Sequence, residues 1–429
     1  MKPPVVGFAG MSHLGLVSAA SVAGAGFETV CFDNNPELIA SLRKGELPIV
    51  EPDLAELIKA NGARQRFTPL VAEMRACDVV YVALDIATDA EGRSETSALR
   101  ALIDSTVPVI HDEAALVVLS QVEPGFTSAL SSPPAARRYY QAETLIFGRA
   151  VERATKPERF IVGCADPSRP LHPQLKSVLS AFKCPILSMR YESAELAKIS
   201  INCCLVGAIS VANMLAELCE SIGADWSEIV PALKLDRRIG QFAYLAPGLG
   251  IAGGNLERDL ATVLRLAVAT GADVGLVEAW LRISRRRCDW AAKAIQRALL
   301  DRKPDATIAV WGLAYKENTH SIKNSASLAT IAQLNGTQIR VHDPAVAAEL
   351  IARPNVTGFD DPLRAIQGAD ALMILTPWPQ YRQVAPLEIA QALSGKIVVD
   401  PYAVLDGAAA AKAGLAYYTL GRAAIAATE

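Results

Sequence analysis

The first 33 residues constrain the fold more than any other segment of the chain. An apolar run at residues 5–9 leads directly into Gly10-Met11-Ser12-His13-Leu14-Gly15 and then into a stretch of helical length. A second apolar run, Thr29–Phe32, ends at Asp33, which lies 23 positions after Gly10. Short apolar runs are typical of strands buried on both faces, and parallel strands need a crossover connection such as a helix. The sequence therefore predicts a βαβ unit at its amino end.

The same alternation of apolar runs and amphipathic stretches continues beyond this unit. Residues 79–84 and 115–119 are predicted to be further buried strands. Residues 17–23 and 36–42 are predicted to lie in crossover helices. A series of such units folds into a doubly wound sheet.

The pattern changes in the middle of the chain. Residues 192–222 form one long apolar-periodic stretch that Gly207 alone interrupts, which predicts a helix too long for a crossover. A glycine-rich segment at residues 247–254 separates it from more helix, which extends through Arg287. The strand rhythm then returns at Thr307–Trp311, Gln338–His342, 371–375 and 396–399.

These regions predict an α/β protein with two Rossmann-like, doubly wound parallel-sheet domains joined by a central helical domain that contains a long helix. We expect an amino-terminal domain over residues 1–190 and a central domain over residues 191–300. The carboxyl-terminal domain is expected over residues 301–429.

Composition and charge exclude several classes of function. The 42 basic and 45 acidic residues leave a net charge of −3, too balanced for a partner of nucleic acid or of a membrane surface. The unbroken apolar stretches fall far short of the roughly 20 residues that span a bilayer, and the amino terminus has no signal pattern. The eight cysteines include no C-x-x-C pair and the five histidines no H-E-x-x-H, so no disulfide framework and no metal site is predicted. We expect a cytoplasmic protein.

The turn after the first strand has the layout of a dinucleotide-binding site. Gly10 would form the tight turn, Gly15 would allow the helix to pack closely on the sheet, and the helix N-terminus would face a pyrophosphate. Asp33 would accept hydrogen bonds from ribose hydroxyls and repel a 2′-phosphate, which favours NAD over NADP. The middle position of the G-x-G-x-x-G pattern is Ser12, whose side chain crowds the place where the backbone approaches phosphate. NAD is the predicted cofactor, and its predicted contacts in this turn are Gly10, Ser12, His13, Leu14, Gly15 and Asp33.

Further segments, taken in chain order, share motifs with one family of enzymes. The segments are Pro48-Ile49-Val50-Glu51-Pro52, Ser120-Gln121-Val122-Glu123-Pro124-Gly125, Glu143 with Arg159-Phe160-Ile161-Val162-Gly163, Ala194-Glu195-Leu196-Ala197-Lys198 with Asn202, Asp236-Arg237-Arg238-Ile239-Gly240, Gly312-Leu313-Ala314-Tyr315-Lys316, and Asp343-Pro344. Together they resemble the UDP-glucose/GDP-mannose dehydrogenases, and the resemblance covers nearly the whole chain. It implies an NAD-dependent oxidoreductase that acts on a UDP- or GDP-linked sugar, with the nucleotide held by the third domain. It also implies a homodimer that packs through the central helix, whose apolar stripe includes Leu205, Ile209 and Leu215.

One departure from the family bears directly on the chemistry. Enzymes of this family oxidise a primary alcohol twice, through a thioester on a cysteine in the motif G-Y-G-G-S-C-F-P-K-D. The corresponding segment here is Gly250-Ile251-Ala252-Gly253-Gly254-Asn255-Leu256-Glu257-Arg258-Asp259, which places Asn255 at the position of the nucleophile. An amide has no thiolate-like form, so covalent thioester chemistry is expected to be lost.

The resemblance also implies the remaining site residues. The predicted catalytic set is Lys198, Asn202, Asp259 and Glu143, which handle a proton and a developing oxyanion, together with Asn255. Lys198 and Asn202 are four positions apart and so share one face of the long helix. Further cofactor contacts are predicted at Gln121 and Lys323, where the family has threonine and arginine. Predicted substrate contacts are Arg238, which would reach across the dimer, with Tyr244, Gly250, Gly253 and Lys316.

Three functional hypotheses remain open from the sequence. The first is a single two-electron oxidation of a nucleotide sugar, or a hydride that is returned so that the reaction is redox-neutral. The second is full oxidation to the uronic acid by a non-covalent route, in which Asn255 orients an aldehyde hydrate. The third is a non-catalytic sensor or partner subunit that binds a nucleotide sugar.

Overall fold

The apolar runs form the strands of two sheets in the computed structural model, which describes residues 2–89 and 92–428. The chain divides into two compact units, Met1–Ile201 and Asn202–Glu429. The division falls inside the long helix predicted from the central apolar periodicity, which extends over Tyr191–Ile222.

The first unit is built around an eight-stranded sheet. Its strands are β1 (Val6–Ala9), β2 (Thr29–Phe32), β3 (Gln65–Thr68), β4 (Val79–Val82), β5 (Ala115–Val118), β6 (Arg138–Gln141), β7 (Phe160–Cys164) and β8 (Ile186–Arg190). Its helices are α1 (His13–Gly24), α2 (Pro36–Lys44), α3 (Leu54–Ala60), α4 (Ser97–Thr106), α5 (Ala150–Thr155) and α6 (Pro173–Ser180), and α7 (Tyr191–Ile222) begins here. The strand order is β3-β2-β1-β4-β5-β6-β7-β8.

The second unit combines helices with a six-stranded sheet. The helices that precede the sheet are α8 (Trp226–Leu235), α9 (Asn255–Thr270), α10 (Gly275–Cys288) and α11 (Trp290–Ile295). The strands are β9 (Thr307–Trp311), β10 (Gln338–His342), β11 (Val356–Gly358), β12 (Ala371–Ile374), β13 (Ile397–Val399) and β14 (Ala416–Tyr418). They alternate with α12 (Ala326–Gln333), α13 (Pro362–Ile366), α14 (Pro386–Ala392) and α15 (Gly407–Lys412). The order β11-β10-β9-β12-β13-β14 repeats that of the first six strands of the other sheet, and every pairing in this sheet is parallel.

The predicted fold class is confirmed, with two corrections in detail. Strand β6 pairs antiparallel with β7, so the first sheet is not wholly parallel. Strands β6 and β7, inside the first sheet, were not predicted. Neither were the four strands at the sheet edges, β3, β8, β11 and β14. Their residues are partly exposed, so they carry no continuous apolar run for a sequence pattern to reveal.

Each unit fixes the turn after its first strand in the same way. Gly10 follows β1 with φ of 96°, and Asp33 Oδ2, at the end of β2, accepts a hydrogen bond from the Met11 N–H at 2.8 Å. Gly312 follows β9 with φ of 95°, and Asp343 Oδ2, at the end of β10, accepts one from the Leu313 N–H at 2.6 Å. Both turns are therefore defined by a glycine in the left-handed region and by an aspartate carboxylate that accepts a hydrogen bond at the end of the neighbouring strand.

Helix α7 carries apolar and polar residues around its circumference. By length and composition it is the one helix among residues 2–89 and 92–428 that could cross a membrane, a test that core helices of soluble proteins also pass. The predicted apolar residues Leu205, Ile209 and Leu215 are half-buried. The exposed apolar stripe of this helix consists instead of Val211, Met214, Leu218 and Ile222.

A partly buried carboxylate connects the carboxyl-terminal segment to the helices of the second unit. Glu220, near the end of α7, accepts hydrogen bonds from Arg287 Nη2 and Trp290 Nε1, each at 2.9 Å. It also accepts one from the Gly421 N–H at 3.0 Å. Arg287 is 1% exposed, and its charge is compensated by Glu220 together with Glu217, whose Oε2 atom lies 3.8 Å from Arg287 Nη1.

The close approach of α1 to its sheet yields a stability prediction. A Cβ atom at Gly15 would overlap the carbonyl oxygen of Gly10, whereas one at Gly62 would meet nothing within 4 Å. Gly15→Ala is expected to lower the free energy of unfolding by about 3 kcal/mol, since α1 must move away from β1. Chemical denaturation measures the change, with Gly62→Ala as the matched control. Equal stability of the two variants would contradict this account.

Candidate cofactor and substrate sites

The dinucleotide turn in the first unit has the features that the sequence predicts. Gly10 provides the left-handed turn and Gly15 the close helix packing. Asp33 accepts hydrogen bonds from the Met11 N–H through Oδ2 and from the Asn35 N–H through Oδ1, the latter at 2.9 Å. The acid is thereby held at the end of β2, where a ribose hydroxyl would meet it. This part of the chain fits a dinucleotide.

Ser12 stands at the N-cap of α1 without capping the helix. Its hydroxyl donates to the Ala83 carbonyl oxygen at 3.3 Å and accepts from the Asp85 N–H at 3.0 Å. Asp85 Oδ2 in turn accepts from the Leu14 N–H, inside the first turn of α1, at 3.4 Å. A carboxylate from the segment after β4 therefore lies where a helix N-terminus attracts anions.

His13 lies beneath the turn rather than beside it. Its Nε2 atom is 2.9 Å from Glu51 Oε2, and its ring stacks on Phe147 with the centroids 4.2 Å apart. Glu51 also accepts hydrogen bonds from the N–H groups of Gly148 at 3.0 Å and Ala150 at 2.7 Å. His13 and Leu14 are both buried, so their side chains pack inside the protein next to the turn.

A buried ion pair joins two of the predicted catalytic residues in the first unit. Lys198 Nζ is 3.2 Å from Glu143 Oε1, and the two side chains are 9% and 14% exposed. Glu143 Oε2 accepts from the Leu145 N–H at 2.8 Å. One turn before Lys198, the buried Glu195 carboxylate accepts from the N–H groups of Gly125 and Thr127, and burial raises the pKa of Glu195.

The other two proton-handling residues meet in the second unit. Asn202 Nδ2 donates to Asp259 Oδ2 at 2.5 Å, and both residues are buried. Arg258 Nε lies 3.5 Å from the other oxygen of Asp259. The structure thus brings Lys198 together with Glu143, and Asn202 together with Asp259, each pair within its own unit.

The glycine-rich segment before α9 is held by close contacts. Gly250 and Gly253 have φ of 82° and 81°, and side chains there would collide with Ser284 and press on the Tyr315 ring respectively. Asn255 is exposed and is the first residue of α9. Two residues later, Glu257 accepts a hydrogen bond from Asn324, and burial raises the pKa of Glu257.

The remaining predicted contacts lie at varied places in the two units. Arg238 is exposed and paired with Asp236 at 2.6 Å, and Tyr244 is exposed in the same segment. Lys316 is half-buried, with Nζ 5.7 Å from the centre of the Tyr315 ring. Lys323 is exposed next to Gly254 in the second unit, and Gln121 is buried after β5 in the first. Their roles stay predictions.

Comparison with known families agrees with this arrangement. Three domains of the UDP-glucose/GDP-mannose dehydrogenase family match the chain in order: the NAD-binding domain over residues 5–180, the central domain over 192–286 and the UDP-binding domain over 309–407. The chain belongs to this family. It is therefore a member of a family of NAD-dependent nucleotide-sugar dehydrogenases, and the prediction of NAD as cofactor is confirmed.

Individual members of the UDP-glucose/GDP-mannose dehydrogenase family resemble the chain over most of its length. It is 28% identical over 436 residues to UDP-glucose 6-dehydrogenase TuaD of Bacillus subtilis. The matched region covers 98% of this chain and 94% of that protein. It is 29% identical over 451 residues to a UDP-glucose 6-dehydrogenase of Pseudomonas aeruginosa, covering 96% of each. The structure of a UDP-glucose dehydrogenase from Pyrobaculum islandicum superimposes with a TM-score of 0.84 at 27% identity, covering 95% of this chain and 98% of that one.

Two residues in the NAD-binding domain were not among the predicted site residues. Glu51 lies in a segment that resembles the family, but its three hydrogen-bond donors come from distant parts of the chain. Asp85 occupies a segment that departs from the family's V-P-T-P pattern. That departure was the available signal, and only the fold shows that it brings a carboxylate to α1.

The contacts of Glu51 lead to a second stability prediction. Glu51→Gln is expected to lower the free energy of unfolding by about 2 kcal/mol, because an amide NH2 would face groups that themselves donate. Urea denaturation measures the effect. Glu56→Gln, at an exposed position of α3, is the control and should change stability little. A Glu51→Gln protein as stable as the control would show that these hydrogen bonds contribute nothing net.

Proposed function

We propose that the protein oxidises one alcohol group of a nucleotide-diphosphate sugar by a single two-electron step and releases a carbonyl product. The observation that carries this proposal is Asn255, the first residue of α9, which the sequence resemblance aligns with the family's nucleophilic cysteine. An aldehyde cannot form a thiohemiacetal on an amide, so the second oxidation lacks its covalent intermediate.

The nearby cysteines support this proposal because they are poor replacements. Burial, with the Asp259 carboxylate nearby, raises the pKa of Cys203, and burial also raises the pKa of Cys288. The Cys288 Sγ atom lies 3.1 Å from the Leu249 carbonyl oxygen, to which it donates. Both thiols are therefore held in the protonated form, which is the weak nucleophile.

The buried pairs supply the proton chemistry of the proposed step. NAD, when bound, provides the acceptor for the hydride that leaves the carbinol carbon. The Glu143 carboxylate is suited to take up the hydroxyl proton, and the Lys198 ammonium, 3.2 Å from it, to stabilise an alkoxide. Asn202 and Asp259 would orient the substrate oxygen or a water molecule.

A UDP-linked sugar is the substrate that we favour. The UDP-binding domain of the family matches residues 309–407, and the relatives named above are UDP-glucose dehydrogenases. Arg238, Tyr244, Gly250, Gly253 and Lys316 are the proposed contacts to this substrate. A GDP-linked sugar is the alternative that a screen of both nucleotides would reveal.

The stoichiometry of NADH tests the reaction. We expect one NADH for each UDP-sugar consumed and a carbonyl product by mass spectrometry. Two NADH and a carboxylate would overturn the single-step proposal in favour of the non-covalent full oxidation. A changed sugar without net NADH would indicate a returned hydride, and binding without turnover would indicate a sensor.

Restoring the nucleophile gives a matched prediction. Asn255→Cys is expected to shift the product toward the uronic acid, because a thiol at the start of α9 can be activated by the helix N-terminus. Asn255→Ala is the control and should still yield one NADH per sugar. Identical products from the Cys and Ala variants would show that position 255 does not face the reacting carbon.

We also propose that the protein is a homodimer that packs through the central region. The exposed stripe Val211, Met214, Leu218 and Ile222 supports this, since apolar residues at helical spacing favour burial against a partner. Leu218→Glu is expected to yield monomers by light scattering. Leu350→Glu makes the same change at a residue that is 62% exposed outside the central helices, and it should leave the dimer intact. Dimers in both variants would show that this stripe is not the dimer interface.

We further propose a cytoplasmic location. All eight cysteines are unpaired, and four of them are half-buried or exposed rather than fixed in the core. An unpaired set of this kind is typical of a reducing compartment.

A further inference from the structure

The segment after β4 brings a negative charge to the start of α1. In dinucleotide-binding sheets, the pyrophosphate lies at the N-terminus of the first helix, where backbone N–H groups and the helix dipole attract anions. Here the Asp85 carboxylate already accepts a hydrogen bond from the Leu14 N–H in that first turn, at 3.4 Å. The Asp85 carboxylate and the pyrophosphate of the cofactor would therefore occupy the same position.

Ser12 holds Asp85 in position. The Asp85 N–H donates to the Ser12 hydroxyl at 3.0 Å, and that hydroxyl donates to the Ala83 carbonyl oxygen at 3.3 Å. A glycine at position 12 could make neither contact. The serine that departs from the G-x-G-x-x-G pattern and the aspartate that departs from the family's segment thus form one linked arrangement.

The charges around Asp85 only partly compensate it. His13 on α1 interacts favourably with the Asp85 carboxylate, although His13 also contacts Glu51. Glu143, after β6, adds a like charge that is itself paired with Lys198 on α7. The Asp85 residue reaches solvent, yet the surrounding protein still desolvates its carboxyl and raises its pKa. A bound pyrophosphate would add further negative charge to this environment.

We propose that Asp85 sets the affinity for NAD, because its carboxylate occupies the anion position of α1 in the free protein and must be displaced or protonated when the pyrophosphate binds. The proposal concerns cofactor binding alone, so it holds whichever extent of oxidation the protein catalyses. It assigns Ser12 the role of a positioning residue for Asp85.

The decisive experiment measures the dissociation constant for NAD by calorimetry, without substrate, in the wild type and in Asp85→Asn. At about pH 8 the neutral variant is expected to bind NAD roughly tenfold more tightly, since a unit charge near the pyrophosphate is removed. ADP-ribose, which retains the pyrophosphate, should show the same gain. Asp104→Asn removes an equal charge from the exposed surface of α4 and should leave both dissociation constants unchanged.

The pH dependence of NAD binding gives a second measurement. Protonation neutralises Asp85, so wild-type affinity for NAD should rise as the pH falls toward the raised pKa of Asp85. The advantage of Asp85→Asn over the wild type should vanish at low pH, because protonation then neutralises Asp85 in the wild type as well. Weaker or equal binding of NAD by Asp85→Asn at about pH 8, or a wild-type affinity that does not change with pH, would overturn the proposal.

Discussion

The structure depends on one arrangement at the start of each sheet: a glycine with left-handed backbone after the first strand and an aspartate after the second. In the first unit Asp33 fixes the turn at Gly10, and in the second Asp343 fixes the turn at Gly312. The carboxylate satisfies backbone N–H groups that the tight turn directs away from the sheet. In the first unit α1 packs so closely on this turn that a Cβ atom at Gly15 would overlap the Gly10 carbonyl oxygen.

The proposed chemistry depends on charges that are buried in pairs. Lys198 with Glu143 and Asp259 with Asn202 and Arg258 are groups that would be costly to bury alone. Their pairing lets a charged group remain in a place that excludes water, where electrostatic interactions are strong. The proposed replacement of the family's cysteine by Asn255 leaves these pairs in place, and for that reason we favour an altered reaction over an inactive protein.

Much of the fold and part of the site could be predicted from sequence for a clear physical reason. Strands such as β1, β4, β9 and β12 are buried on both faces, so their composition alone reveals them. Edge strands such as β3 and β11 are half-exposed and give no such signal. The glycines and Asp33 were predictable because their roles depend on local geometry. Asp85 and Glu51 were not, since their partners lie 71 and 38 positions away in the chain.

The contacts of Glu220 bear on how the chain behaves as a folding unit. This carboxylate joins α7, α10, α11 and the segment at Gly421, so the helices and the carboxyl-terminal segment share one hydrogen-bond network. The sequence pattern separates residues 191–300 from residues 301–429. Because these hydrogen bonds join the two regions, we expect them to unfold cooperatively. Loss of the final segment would remove the Gly421 N–H donor from Glu220, so this carboxylate would be held less firmly against Arg287 and Trp290.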